Sequence, residues 1–259
     1  MSLIKATWAL YRDAAKDTAK ALPRSGPALL FLVLASCFEL VLIVVLGGGG
    51  MAGGFVIGLV DAFLCAWYLA LLRVLVVQNR KLHISDLRDT MGDHFMEVIT
   101  ISFVFGILRL VIHFTYPDLN LLYIPLVALL FNPAPEMVYQ EQSEPAVLIR
   151  GALQFMMENW PEWLAGHVLL FAVLGGALYA IIGEPTLAVA YLAGLYGPWF
   201  GFLGIGPTGL ALLAAGPIGF ALSALLFVGS HLVMVFRGVL YKKLSRSSRR
   251  GRAWQARIS

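Results

Sequence analysis

Six ionisable side chains stand inside long apolar runs of this chain: Glu39, Asp61, Arg109, His113, His167 and His231. On insertion scales a charge at the centre of a membrane helix costs roughly 2.5–3.5 kcal/mol, so each of them needs a physical reason to be there. Two kinds of chemistry fit these residue types. Arg109 can pair with Glu39, Asp61 or both at a similar depth, which offsets the insertion cost and fixes helix register. Alternatively, Glu39, Asp61 and a histidine can form a relay for protons or ions. The pairing of Arg109 with the carboxylates is the expectation, with His113, His167 and His231 as buried polar groups between spans.

Motifs for bond-breaking chemistry are absent from the sequence. It has no His-Glu-x-x-His, no Gly-x-Ser-x-Gly and no P-loop. Gly204-Ile205-Gly206-Pro207-Thr208-Gly209 fits a dinucleotide fingerprint by letters, but no strand precedes it and it reads as a turn. Phe227-Val228-Gly229-Ser230-His231 fits the Phe-x-x-x-His element of intramembrane prenyl-protein-type proteases, yet the Glu-Glu-x-x-x-Arg element that must accompany it does not occur. Cys37 and Cys65, the two cysteines, both lie in apolar runs and read as small hydrophobes. No catalytic residue, metal ligand set or cofactor is therefore expected.

A different chemistry belongs to the C-terminal segment. Lys242, Lys243, Arg246, Arg249, Arg250 and Arg252 make it strongly basic among serines and glycines. Such a segment is drawn to anionic lipid headgroups at about 1 kcal/mol per basic residue near the surface, or serves an acidic protein partner. Nucleic acid is not the expected partner despite the net charge of +4, because the charge is grouped at the ends of apolar segments.

The elements that must position these groups follow from composition. Of the 259 residues 59% are hydrophobic and 13% charged, and the mean hydropathy is +0.81. Soluble domains carry about 25% charged residues. The apolar runs are about 20 residues long and do not alternate, which predicts membrane helices rather than barrel strands. Spans are expected near 27–47, 55–77, 98–116, 121–139, 163–183 and 210–236. The fourth is weakened by Pro125, Pro133, Pro135 and Glu136. The uncharged, glycine- and proline-broken stretch 186–205 reads as a re-entrant or interfacial element.

Amphipathic segments precede three of these spans. In 3–22 the residues Ile4, Trp8, Tyr11, Ala15, Ala19 and Leu22 share one face, and Pro23 closes the helix. Residues 85–96 carry Ser85 as an N-cap candidate, and 144–160 place Leu148, Ala152, Phe155, Met156 and Trp160 on one side before Pro161. The expected architecture is an all-α, polytopic transmembrane helix bundle of about six spans in three hairpins with interfacial amphipathic helices. It is read as one membrane domain: an interfacial helix at 1–26, the bundle at 27–236 and a basic cytoplasmic tail at 237–259.

Orientation comes from lysine and arginine. Of the 19 in the chain, all but Arg109 fall in residues 1–26, at the end of the second span and its loop, at Arg150, or from Arg237 onward. Under the positive-inside rule this places both termini in the cytoplasm. No cleavable signal peptide is expected, since a polar stretch about 26 residues long precedes the first apolar run and no A-x-A site follows it.

The stretch Asn132-Pro133-Ala134-Pro135-Glu136-Met137-Val138-Tyr139-Gln140-Glu141, followed by Ala146 to Asn159-Trp160, resembles the six-span bacterial membrane domain found alone or attached to glycerophosphodiester phosphodiesterases. The long 184–209 segment departs from that pattern. The resemblance implies a bacterial inner-membrane protein without catalytic residues of its own. Together with the residues it leads to a non-catalytic membrane subunit or scaffold that binds lipid, other membrane subunits or further copies of itself. The alternative is a transporter or channel subunit moving an ion, proton or lipid, drawn from Glu39, Asp61 and the broken elements near Gly197-Pro198 and Gly216-Pro217.

Overall fold

A computed structural model describes residues 3–119, 129–141, 144–182 and 216–246, with Tyr123 and Val127 between the first two stretches. Segment 186–205, the side chain of His167, and Arg249, Arg250 and Arg252 lie outside the described residues. Among those described there is no strand, so the chain is all-α.

The helices are α1 (Leu3–Ala21), α2 (Gly26–Leu46), α3 (Gly50–Leu72), α4 (Ile84–Asp89), α5 (Phe95–Thr115), α6 (Ala134–Glu141), α7 (Pro145–Ile182) and α8 (Gly216–Ser245). Among the described residues two stretches are long and apolar enough to cross a membrane: Gly26–Val77, of 52 residues, and Phe95–Thr115, of 21. In their most apolar windows only 28% and 11% of residues are buried within the protein. A core helix of a soluble domain would be mostly covered.

The first stretch is a hairpin. Gly47–Gly49 form a tight turn and Gly50 takes φ +59°, a left-handed conformation open to glycine. The chain then returns, and the rings of Phe31 near the start of α2 and Trp67 near the end of α3 meet at 4.8 Å. Burial on α2 follows Ala28, Phe31, Leu32, Ala35, Ser36 and Glu39, a stripe at helical spacing. Beyond Glu39 the outer half of the hairpin is largely exposed and apolar, including Val44, Val45, Met51 and Phe55.

The core therefore sits at the other end, where α1, α6, α7 and α8 gather around the last turns of α3. There α3 widens into a π turn, in which the Gln78 N–H reaches back five residues to the Arg73 carbonyl at 3.2 Å.

Several sequence expectations are corrected. Pro161 does not end a helix: α7 runs unbroken through it for 38 residues, about 57 Å. Proline removes one backbone donor, and packing on both sides of it outweighs that loss. Leu148, Ala152, Phe155 and Met156 are buried as expected, but Trp160 is exposed and Trp163 takes the inward place. In α1 the packed positions are Ala14, Thr18 and Ala21, while Trp8 is 65% exposed. The helix docks on α8 through Tyr11, whose ring stacks on Phe236 at 6.2 Å. His83, not Ser85, precedes the first turn of α4. The expected fourth span ends in a turn at Phe131–Pro133 before α6. α8 carries on past 236 to Ser245, so the first basic residues of the expected tail are helical.

Candidate functional site

Two groups of buried polar side chains stand out against the apolar bundle. The first lies where α3, α6, α7 and α8 meet. Glu136 sits in the first turn of α6 and Arg237 near the end of α8, 101 residues apart in sequence. Arg237 Nε donates to Glu136 Oε1 at 2.8 Å and Nη2 donates to Oε2 at 3.0 Å. The same Nη2 donates to the Asn132 carbonyl at 2.6 Å. The Trp163 ring lies under the guanidinium at 5.7 Å, and its indole N–H donates to Asn132 Oδ1 at 2.9 Å. Both charges are out of water, Arg237 being 1% and Glu136 0% exposed. A fork-to-fork pair with its remaining donors satisfied is the form in which such charges are tolerated.

Around this pair the elements are tied by further polar contacts. Gln140 Nε2 donates to the Gly238 carbonyl at 2.9 Å, and the Tyr241 hydroxyl donates to Glu141. Gly238 has no room for a side chain, because a Cβ there would run into the Tyr139 hydroxyl. Lys242 Nζ donates to the carbonyls of Val76 and Val77, at 2.8 and 3.3 Å, which the π turn leaves without helical partners.

His231 belongs to the same end of the bundle. Its Nδ1 lies 2.9 Å from the Tyr68 hydroxyl and its Nε2 2.7 Å from Ser25 Oγ. Ser25 donates its one hydroxyl proton to the Leu22 carbonyl at 2.7 Å. The serine must then accept from His231 Nε2–H, and Nδ1 must accept from Tyr68. That polarity is the reverse of a serine activated by a histidine base, in which the serine donates to the ring. The triad instead ties the start of α2 to α3 and α8.

The second group lies higher in the hairpin. Glu39 on α2 and Asp61 on α3 are buried, and Asp61 is close enough for its charge to act on Glu39. Among the described residues neither carboxylate has a hydrogen-bond partner, and the buried Ser36 hydroxyl, three residues before Glu39, has none either. Beside them runs an apolar groove of about 630 Å³ lined by Phe31, Phe38, Leu59, Phe63, Trp67 and Phe95, among others.

The expected pairing of Arg109 is overturned. Arg109 is exposed on α5 and has no ion pair among the described residues. It lies six residues, about 9 Å, from the end of α5, where a long side chain can reach an interface. His113 is likewise exposed on α5, its ring against Phe114 at 5.4 Å. Two of the basic residues read as headgroup ligands are engaged within the chain: Lys242 as above, and Lys243 with Asp17 at 2.7 Å. Arg246 is exposed.

Outside the bundle, Arg80 grips Asp86 through both terminal nitrogens, at 2.9 and 2.5 Å, and the His83 N–H adds a third donor at 2.7 Å. The guanidinium hydrogen bonds hold the Asp86 carboxyl below the ordinary carboxylate range, against the opposing effect of burial. Lys243 does the same for Asp17.

The residues that sequence reasoning missed are Ser25, Tyr68, Trp163 and the Glu136–Arg237 pair. The available signal was a pair of opposite charges, each flanked by apolar residues at the end of a hydrophobic run. Glu136 also falls within the stretch that carried the family resemblance. No family model, no curated protein and no solved structure matches the chain.

Proposed function

We propose that the chain is a non-catalytic integral membrane subunit that scaffolds a complex by binding a partner membrane protein and lipid. In this reading it has six spans, sits in a bacterial inner membrane and keeps both termini in the cytoplasm. One observation carries the proposal. α5 leaves Phe103, Ile107, Leu110, Val111 and Phe114 exposed along one helical face, and Arg109 exposed on the other side of the helix. An uncovered apolar face of this length matches a partner helix, and the cation on the other side matches a partner carboxylate at its depth. Two further features support it: the charges of Glu136 and Arg237 satisfy each other, and Ser25 donates away from His231.

The test is purification from the native membrane in mild detergent, followed by native mass spectrometry. The expected result is a stoichiometric partner that is lost when Arg109 is changed to Ala. A chain that emerges alone from the native membrane, whether or not Arg109 is intact, overturns the reading. Movement of an ion through the bundle is the second reading, favoured by the unpartnered carboxylates of α2 and α3. Flux in reconstituted vesicles that disappears in Glu39→Gln supports it, and equal flux in the two proteins sinks it.

A further inference from the structure

Glu39 and Asp61 meet at one level of the hairpin. From the Phe31–Trp67 ring contact at 4.8 Å, Glu39 lies eight residues further along α2, about 12 Å. Asp61 lies six residues back along α3, about 9 Å. The two carboxylates thus stand within about 3 Å of the same depth, each at a buried position of its helix. Ser36, one turn below Glu39 on the same stripe, adds a hydroxyl.

Among the described residues five oxygens of these three side chains are buried with no donor: both of Glu39, both of Asp61 and Ser36 Oγ. Ser36 and Glu39 are each 0% exposed and Asp61 is 8% exposed. In a helix a serine hydroxyl commonly donates to the carbonyl four residues back, and Ser36 does not. A set of buried acceptors on neighbouring helices, with no arginine, lysine or histidine bonded to it among the described residues, is the donor set of a hard cation.

We propose that Ser36, Glu39 and Asp61 form a binding site for one monovalent cation of sodium size, held between α2 and α3. One positive charge with one carboxyl keeping its proton leaves the buried site neutral, as a divalent ion on two carboxylates also would, so the ligand count decides. Calcium takes six to eight oxygens and magnesium keeps several waters, whereas three side chains beside an apolar groove bring five oxygens, one of them carrying the retained proton. The proposal concerns binding alone and holds whether or not the ion crosses the membrane or a partner subunit is present.

The experiment is equilibrium binding of radioactive sodium to the full chain in lipid nanodiscs, at one pH and constant ionic strength set with N-methylglucamine. One saturable site per chain is expected, lost in Glu39→Gln and in Asp61→Asn. Ser36→Ala removes one neutral ligand and no hydrogen bond, so it folds as the parent does and binds sodium roughly tenfold more weakly. Absence of saturable sodium binding in the parent chain overturns the site, as does unchanged binding in Ser36→Ala and Glu39→Gln. Displacement of bound sodium by calcium or magnesium at lower concentration than by sodium itself overturns the choice of a monovalent ion.

Discussion

The two buried groups of charge in this bundle are built on opposite terms. At the inner end, Glu136 and Arg237 consume each other's hydrogen bonds, with Asn132 and Trp163 filling the remaining places. Higher in the first hairpin, Glu39 and Asp61 are buried too, and among the described residues their carboxylates have no hydrogen-bond partner. A buried charge is tolerated when it is paired, neutralised by a proton or bound to something from outside. The inner pair takes the first route and so reads as architecture. The hairpin pair is left with the other two, and is where a ligand can matter.

The sharpest way to break this contrast is to remove one partner of the inner pair. Arg237→Met should lower stability by about 3–5 kcal/mol, since it leaves Glu136 buried and uncompensated. Denaturant titration of the purified chain in mixed micelles measures this. The double change Glu136→Met with Arg237→Met should recover most of the loss, and a double variant no better than the single would show that the pair is not the reason.

Next in size is the packing that closes the same region. Gly238→Ala drives a methyl group into the Tyr139 hydroxyl and should cost about 1–3 kcal/mol, read from the same titration. Tyr139→Phe in that background should relieve part of the cost.

The hairpin pair should respond with the opposite sign. In sodium-free buffer Glu39→Gln removes a buried, unpartnered carboxylate and should leave stability unchanged or raise it by about 1 kcal/mol. Glu136→Gln should lower it. If both substitutions destabilise to the same degree, the two groups are not different in kind.

The smallest effects belong to the water-facing contacts. The folded-state carboxyl of Asp86 lies below its unfolded value of about 3.9. Its contribution is then complete above that value and is lost as pH falls through the lower folded one. The protection factor of the α4 amides, exchange taken relative to its intrinsic rate at each pH, should fall as pH drops below about 4 and stay level across that window in Asp86→Asn. Arg80 is nearly half exposed, so the loss stays under about 1 kcal/mol. Lys243→Ala, which leaves Asp17 with Lys20 at 3.8 Å, should weaken docking of α1 by less still, about 0.5 kcal/mol.

Much of the fold was legible where burial and length alone decide structure. The expected spans 27–47 and 98–116 meet α2 at Gly26–Leu46 and α5 at Phe95–Thr115 within a few residues. The glycine run was read as a turn and is one. What could not be read were contacts between distant parts. Arg237 follows directly on an apolar run, so composition assigned it to the tail, yet its partner lies 101 residues away. Pro161 looked like a terminator because local propensity says so, while the packing of Phe155 and Trp163 on Tyr241, on either side of it, keeps the helix whole. On α1 the true contact face is turned from the predicted one, because the small residues Ala14 and Thr18 allow close approach to α8 and Trp8 does not. Glu39 and Asp61 were recognised as unusual from type and position, but the partner given to them was wrong. Depth can be counted along a helix, whereas the direction a residue faces depends on every neighbour.

Lys242 on the carbonyls of Val76 and Val77 has a consequence for how the chain is made. Ribosomes release the first hairpin long before residue 242 exists, and domains fold in the order they emerge. Until α8 arrives, the π turn has open carbonyls, Tyr68 and Ser25 lack His231, and Glu136 lacks its arginine. The nascent protein must therefore wait, with its inner end unfinished, for its last helix to be delivered. A ribosome-bound chain stopped before Gly216 should be cut by protease in the 78–83 loop, and a chain extended past Ser245 should resist.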